Sequence, residues 1–198
     1  AAQYDTAGKT RQFSTVSGRI AEVTGPYGWK IDQAAETDAL IAMIRSGQSQ
    51  TREPQYASTA AVRGEQDWGS TYAEVDLTGQ HVYLVKDGAV IWDAPCVTGN
   101  ISKKYDTPPG IFPLTYKQKD KVLRGAKRAD GTYEYESPVS FWMPFNGGIG
   151  FHDANWRSSF GGEIYKTGGS HGCINLPPDR VPAFYEQVYK GMPVICYL

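Results

Sequence analysis

Between Tyr72 and Val97 the chain alternates apolar and polar residues in three successive runs, each ended by a turn signal. Tyr72-Ala-Glu-Val-Asp-Leu77 alternates first, Thr78-Gly79 turns, and Gln80-His-Val-Tyr-Leu-Val-Lys86 alternates again. Asp87-Gly88 then supplies a two-residue hairpin signal, and Ala89–Val97 reads as a third strand. A period of two puts alternate side chains on opposite faces, so such a segment folds as paired strands with one face buried. Further along, Thr107-Pro-Pro-Gly110 marks a turn before a strand at Ile111–Tyr116. Val139–Phe145 is apolar and aromatic, Gly147–His152 reads as a short strand, and Pro193–Leu198 as a last buried one. Pro177–Lys190 has helical spacing, with Pro178 suited to a first turn and Val181, Phe184, Tyr185 and Val188 on one face. Lys117–Arg128 is basic and polar, with Val122 and Leu123 as its only apolar anchors, and reads as an exposed hairpin or loop. The expected fold class is mainly β, a sandwich or barrel-like unit over residues 72–198 with one main helix near its end.

Upstream the character differs. Phe13–Val16 and Arg19–Val23 read as short strands, broken after by Gly25-Pro-Tyr-Gly28. Ile31, Ala35, Leu40, Ile41 and Ile44 recur at helical steps over Ile31–Ser46, and Gly47 stops the helix. About seventy residues of α+β pattern make a small core on their own, so residues 1–55 are expected to be the C-terminal part of a small, truncated α+β domain. Residues 56–71 are the expected linker. The segment around them is polar, with Pro54 and two glycines.

Charge narrows the function classes. With 20 Lys+Arg against 21 Asp+Glu the formal charge is −1, which lacks the basic footprint of a nucleic-acid binder. No apolar run approaches the roughly 18 residues of a membrane span. Aromatics reach 13%, enough to furnish a groove as well as a core. The three cysteines, Cys96, Cys173 and Cys196, are too few and too far apart for a disulfide scaffold, and an odd number leaves one thiol over. Cys96 and Cys196 sit in apolar strands and read as small buried hydrophobes, with a disulfide between them left open.

Cys173 is different. Its neighbours in Lys166-Thr-Gly-Gly-Ser-His-Gly-Cys-Ile-Asn175 are glycines and polar residues, a poor sequence for a packed core. Successive amides in a glycine-rich turn can converge on one point, as an oxyanion hole requires, and they favour a thiolate. A thiol nucleophile also needs a base that later returns the proton. His152, in Gly150-Phe-His-Asp153, comes from a separate strand and could face Cys173 across a groove. His81, on an alternating strand, reads as structural. A zinc site from His152, His171 and Cys173 is the competing chemistry, weakened by the tight His-x-Cys spacing and the lack of a clear fourth ligand. Tyr133, Tyr135, Phe141, Trp142, Trp156 and Tyr165 are candidate groove walls, Tyr135 and Trp156 foremost, and Asp153 is a candidate hydrogen-bonding neighbour of the site.

These residues carry a resemblance. Ser170-His-Gly-Cys-Ile-Asn175 with the upstream Gly150-x-His152 resembles the signature of the L,D-transpeptidase (YkuD-type) catalytic domain of bacterial cell-wall synthesis. The likeness extends over residues 72–198, including Glu74-Val-Asp-Leu-x-x-Gln-His81 and Thr107-Pro-Pro-Gly-Ile-Phe112. Gly28-Trp-Lys-Ile-Asp32 and Thr51-Arg-Glu-Pro54 resemble the end of the domain that precedes it in Gram-positive members, most of all the enterococcal type. The resemblance implies Cys173 as nucleophile and His152 as general base and acid, with the carbonyl of Ser170 or Gly169 orienting the imidazole. It implies an oxyanion hole from the amides of His171, Gly172 and Cys173. Asn175 departs from the Arg of many relatives and is expected to be a loop-fixing or substrate-binding residue. The implied reaction releases D-Ala from a tetrapeptide stem and forms a 3→3 cross-link through a thioester, and carbapenems are implied to acylate the thiol. Expected partners are peptidoglycan stem peptides as donor and acceptor, with no cofactor, metal or nucleic acid, and the enzyme a monomer. It is expected to face the cell wall outside the cytoplasm, anchored or secreted by an N-terminal segment. A zinc- or thiol-dependent L,D-carboxypeptidase and a non-catalytic wall-binding module are the alternatives.

Overall fold

The computed structural model describes residues 2–198. Its N-terminal part holds a hairpin of β1 (Arg11–Ser14) and β2 (Ile20–Val23), then β3 (Lys30–Ile31), α1 (Gln33–Ser46) and β4 (Tyr56–Ser58), with β3 and β4 paired antiparallel. Next come β5 (Tyr72–Asp76), β6 (His81–Lys86), β7 (Ala89–Pro95), β8 (Gly110–Pro113), β9 (Gln118–Arg124), β10 (Glu136–Asn146) and β11 (Ile149–Asp153). The chain ends with α2 (Ile164–Gly168), β12 (Ile174–Leu176), α3 (Val181–Gln187) and β13 (Pro193–Tyr197). The three alternating runs after Tyr72 form the expected meander β5–β6–β7. The basic stretch after Lys117 is the expected exposed hairpin, its strand β9 pairing antiparallel with β10.

Two sheets face each other. One has the order β7-β6-β5-β13-β8 and the other β12-β11-β10-β9. Val75, Leu84, Ala94, Val194 and Cys196 of the first meet Met143, Phe145, Phe151, Ile174 and Leu176 of the second. Phe184 and Tyr185 of α3 complete this core. The helix is shorter than its periodicity predicts, since Val188 turns to extended backbone and caps it. Cys96 and Cys196 are buried free thiols.

β13 explains how the N-terminal part is joined on. Its five residues, Pro-Val-Ile-Cys-Tyr, are all buried, as expected of a strand covered on both faces. Val194 and Cys196 face the main core, whereas Ile195 and Tyr197 face a second one with Phe13, Val23, Tyr27, Trp68 and Ile111. There Phe13 meets Trp68 and Tyr72 edge to face, with ring centroids 5.7 and 5.5 Å apart. Glu74 lies beside Ile195 on the same side of the sheet. Its buried carboxylate accepts from the Val16 amide at 2.9 Å and from the Tyr197 hydroxyl at 2.6 Å. Burial lifts the Glu74 pKa above the usual carboxylate range, against those hydrogen bonds.

The stretch 56–71 is therefore not the free linker its polarity suggests. It supplies β4, and its Asp67 and Trp68 are buried. Asp67 pairs with the buried Arg11 and accepts from the Thr6 hydroxyl, while Arg11 Nη2 donates to the Tyr27 carbonyl at 2.8 Å. A polar composition misleads here because the charges satisfy one another inside. Conversely, α1 forms where periodicity predicts it, capped by Asp32, which accepts from the Ala35 amide at 3.0 Å, and by left-handed Gly47. Yet none of its residues is buried, and Ile44 is 79% exposed. Helical spacing reports a potential face and not what covers it.

Removing one partner of a buried ion pair strands the other charge. Asp67→Ala is expected to lower the unfolding free energy by about 3–5 kcal/mol in urea titration, on that basis.

Candidate active site

Register across three strands assembles the site. Trp142 on β10, His152 on β11 and Asn175 on β12 are cross-strand partners, so their side chains share one face of the sheet. Their neighbours Met143, Phe151 and Ile174 form the opposite, fully buried row. The parallel pairing of β11 with β12 brings the end of the glycine-rich turn, Cys173, alongside the strand that carries His152. Both residues line a cavity of about 260 Å³ together with Tyr135, Trp156, Arg157 and Asn175.

The turn before Cys173 is fixed by hydroxyls. Ser170 Oγ donates to the Cys173 carbonyl at 2.6 Å and accepts from the Gly172 amide at 3.0 Å. Thr107 Oγ1 donates to the Gly172 carbonyl at 2.7 Å and accepts from the Gly99 amide at 3.0 Å. Gly172 sits at φ +113°, a conformation that disfavours any side chain. Gly169 runs so close to the segment that follows β7 that a Cβ would lie 2.6 Å from the Asn100 nitrogen. The two glycines serve different needs, one a backbone angle and the other a close approach.

Two expectations are corrected by these bonds. The carbonyl expected to orient His152 was that of Ser170 or Gly169, and the Ser170 carbonyl instead accepts from the Asn100 amide at 2.9 Å. That role falls to the Asp153 carbonyl, which lies 2.8 Å from His152 Nδ1. The reason is local: the residue after His152 is already beside the ring, whereas Ser170 is held by an isolated bridge to Gly99 in the segment that follows β7. The Gly172 amide, expected in the oxyanion hole, is likewise engaged by Ser170 Oγ at 3.0 Å.

His152 lies between the indoles of Trp142 and Trp156, at centroid distances of 6.1 and 5.8 Å. Burial among them lowers its pKa below the ordinary histidine value; the Asp153 carbonyl opposes this and the Arg157 charge adds to it. Burial pushes the Cys173 thiol up to about 11, while backbone hydrogen bonding at Gly150 acts in the other direction. The Cys173 Sγ donates to the Gly148 carbonyl at 3.5 Å. Site and surroundings thus favour a neutral thiol beside a neutral imidazole. The Asp153 carboxylate is turned away, accepting from the Ser140 and Phe141 amides at 3.1 and 2.8 Å.

The other aromatic candidates divide. Tyr135 and Trp156 line the cavity, and Trp142 backs His152. Phe141 packs on Tyr185 at 5.0 Å, and Tyr133 takes the Arg124 guanidinium at 5.2 Å, both away from the site. Tyr165 is not among the cavity's lining residues. The His171 ring is stacked between Tyr105 and Tyr135, at 4.5 and 4.8 Å. Among the described residues no three His, Cys, Asp or Glu side chains converge on one point. Sequence reasoning missed Arg157 and Tyr105. Neither had a local signal, one cation among 20 and one tyrosine among 13. Thr107 was visible only as part of a turn.

Comparison with known proteins agrees with this architecture. The model of the YkuD family, described as the L,D-transpeptidase catalytic domain, matches residues 70–196. The C442S mutant of Enterococcus faecium L,D-transpeptidase is 36% identical over 99% of this chain and 77% of its own, with a TM-score of 0.79. The Ldtfm-avibactam carbamoyl enzyme is also 36% identical, over 100% of this chain and 76% of its own, with a TM-score of 0.81. The catalytic domain of E. faecium L,D-transpeptidase acylated by ertapenem is 43% identical over 65% of this chain and 98% of its own, with a TM-score of 0.57. No curated protein matches. With a family model spanning both strands of the site, and a shared fold along the whole length of an enterococcal relative, the chain belongs to the YkuD family of L,D-transpeptidases.

Proposed function

We propose that this chain is a cysteine-dependent peptidoglycan L,D-transpeptidase that forms 3→3 cross-links outside the cytoplasm. One observation carries the chemistry: Cys173 and His152 line one cavity, and the bond from Nδ1 to the Asp153 carbonyl leaves Nε2 as the basic nitrogen. His152 Nε2 takes the proton from Cys173 Sγ as sulfur attacks the carbonyl of the third stem residue, a diamino acid. The amides of His171 and Cys173 stabilise the oxyanion. On collapse the bond to the terminal D-Ala breaks, and His152 returns the proton to the leaving amine. A thioester remains. The side-chain amine of a second stem then attacks it, His152 receives the amine proton, and Cys173 departs with a proton to regenerate the thiol.

Tyr135 and Trp156 form the walls against which the donor stem lies, and the Ser170 hydroxyl keeps the turn in shape. The strained carbonyl of a carbapenem presents the same electrophile to the same sulfur. The ertapenem-acylated catalytic domain of E. faecium L,D-transpeptidase supports that extension. The thiol attack needs neither metal nor cofactor.

Intact-mass measurement after incubation with a carbapenem is expected to give a single covalent adduct that is absent from Cys173→Ala. His152→Ala is expected to slow adduct formation by about 10²–10⁴-fold, the usual worth of a general base. An equal adduct on the Cys173→Ala chain would overturn the assignment. With disaccharide-tetrapeptides as substrate, the expected product is a dimer joined through the third residues, with release of D-Ala.

The neutral resting pair has its own signature in pH. A lowered His152 remains unprotonated to below the ordinary value of about 6.5, so the acid limb of acylation is expected below that point. Alkylation by iodoacetamide requires the thiolate, and its rate is expected to keep climbing toward about 11. A plateau in alkylation already reached near about pH 7 would mean a preformed thiolate–imidazolium pair.

A further inference from the structure

We propose that Arg157, acting through the Asn175 side chain, holds His152 as the neutral imidazole with its proton on Nδ1 and its lone pair on Nε2. This deepens the catalytic reading and rests on His152 being the proton carrier. Asn175 is buried, and its backbone is bonded to Val97 in both directions, at 2.9 and 3.0 Å. Its amide lies between the Arg157 guanidinium and His152 Nε2. A guanidinium has donors only, so it fixes which end of the amide faces it. Oδ1 accepts from Arg157 Nε at 2.7 Å and from Nη2 at 3.3 Å, and Nδ2 is thereby directed to His152 Nε2 at 3.1 Å.

The consequence follows from donor and acceptor bookkeeping alone. An amide nitrogen only donates, so Nε2 must present its lone pair. A carbonyl only accepts, so Nδ1, 2.8 Å from the Asp153 oxygen, must carry the hydrogen. Both ring nitrogens are specified, and the tautomer is the one a general base at Nε2 needs once the Asn175 hydrogen bond to its single lone pair opens. Adding a proton to Nε2 would set it against the Asn175 donor. Turning the amide over would set its donors against Arg157. The imidazolium is therefore disfavoured at rest and returns its proton readily.

Two charges act on His152: the Asp153 carboxylate, turned away from the ring and tied to β10 amides, and the Arg157 guanidinium. Cys173 is the titratable neighbour beside β12, while Trp142 of β10 and Trp156 are uncharged. Arg157 is thus a positioning residue, acting on the base through Asn175 and through its own charge.

Long-range proton–nitrogen NMR on the full chain reads the tautomer directly, and with three histidines assignment is simple. The unchanged chain is expected to show an unprotonated Nε2 and a protonated Nδ1 at His152 around neutral pH. Arg157→Met is expected to raise the His152 pKa by about one unit and to admit the second tautomer. Asn175→Asp, nearly isosteric, is expected to raise it further, since a carboxylate accepts from a protonated Nε2. Arg157→Lys, which keeps the charge, is expected to recover part of the shift, and the acid limb of carbapenem acylation is expected to move in parallel. An Nε2-protonated neutral form in the unchanged chain would overturn the proposal outright. So would an unmoved pKa and tautomer in Asn175→Asp. The titration uses no substrate, so a failure of the catalytic reading would show in acylation and leave these shifts as they are.

Discussion

Parallel pairing of Phe151–Asp153 with Ile174–Leu176 is the interaction on which the site depends. It is a short ladder, and its hold comes from the row behind it: Met143, Phe151 and Ile174 are fully buried against the opposite sheet. Because side chains alternate, burying that row forces Trp142, His152 and Asn175 to the other face. A slip by one residue would turn His152 into the core and Phe151 into the cavity. The hydrophobic core and the catalytic register are therefore one constraint. The bridges of Val97 to Asn175 and Gly99 to Ser170 extend it, locking the approach to Cys173 against the segment that follows β7.

A second constraint lies on the far face of the five-stranded sheet. Ile111, Ile195 and Tyr197 would be exposed there without the N-terminal hairpin and Trp68. Most polar groups carried into that contact are matched, Glu74 to Val16 and Tyr197, Arg19 to Asp76 at 2.9 Å and Arg11 to Asp67, while Arg11 Nε has no partner. Such pairs contribute little net energy over an apolar contact, but any one of them left unmatched is costly. They specify how the hairpin sits. The strand that it covers, β13, is also the one that pairs with both β5 and β8, so the N-terminal part steadies the centre of the catalytic sheet.

How much of this could be read beforehand varies with the range of the interaction. The meander β5–β6–β7 was legible because period and turn chemistry are local. Cys173 and His152 were legible because a thiol among glycines and polar residues is an odd thing to bury. The partner of His152 Nδ1 was not, since a carbonyl belongs to every residue and only geometry selects Asp153. Arg157 was hidden for a similar reason: its meaning comes from facing Asn175, 18 residues away along the chain and on another element. The 56–71 stretch misled because polarity normally signals solvent, and Asp67 is instead buried with its counter-charge. For α1 the spacing was informative about conformation and silent about contact, which is the limit of any periodicity argument.

A neutral thiol beside a neutral imidazole also bears on where such a chemistry can operate. Oxidation of cysteine follows thiolate character and exposure. A sulfur raised by burial and half covered in its cavity is shielded on both counts, which suits an enzyme working in the oxidising space outside a cell. The compensating demand is that the base be ready when substrate arrives, because no thiolate is stored. A fixed tautomer at His152, with Nδ1 donating to the Asp153 carbonyl and the Nε2 lone pair facing the Asn175 amide, answers part of that demand. Both contacts are supplied by backbone or by a neutral amide. The Arg157 guanidinium thus stands one residue removed from the base, orienting it through Asn175 while its charge disfavours the imidazolium.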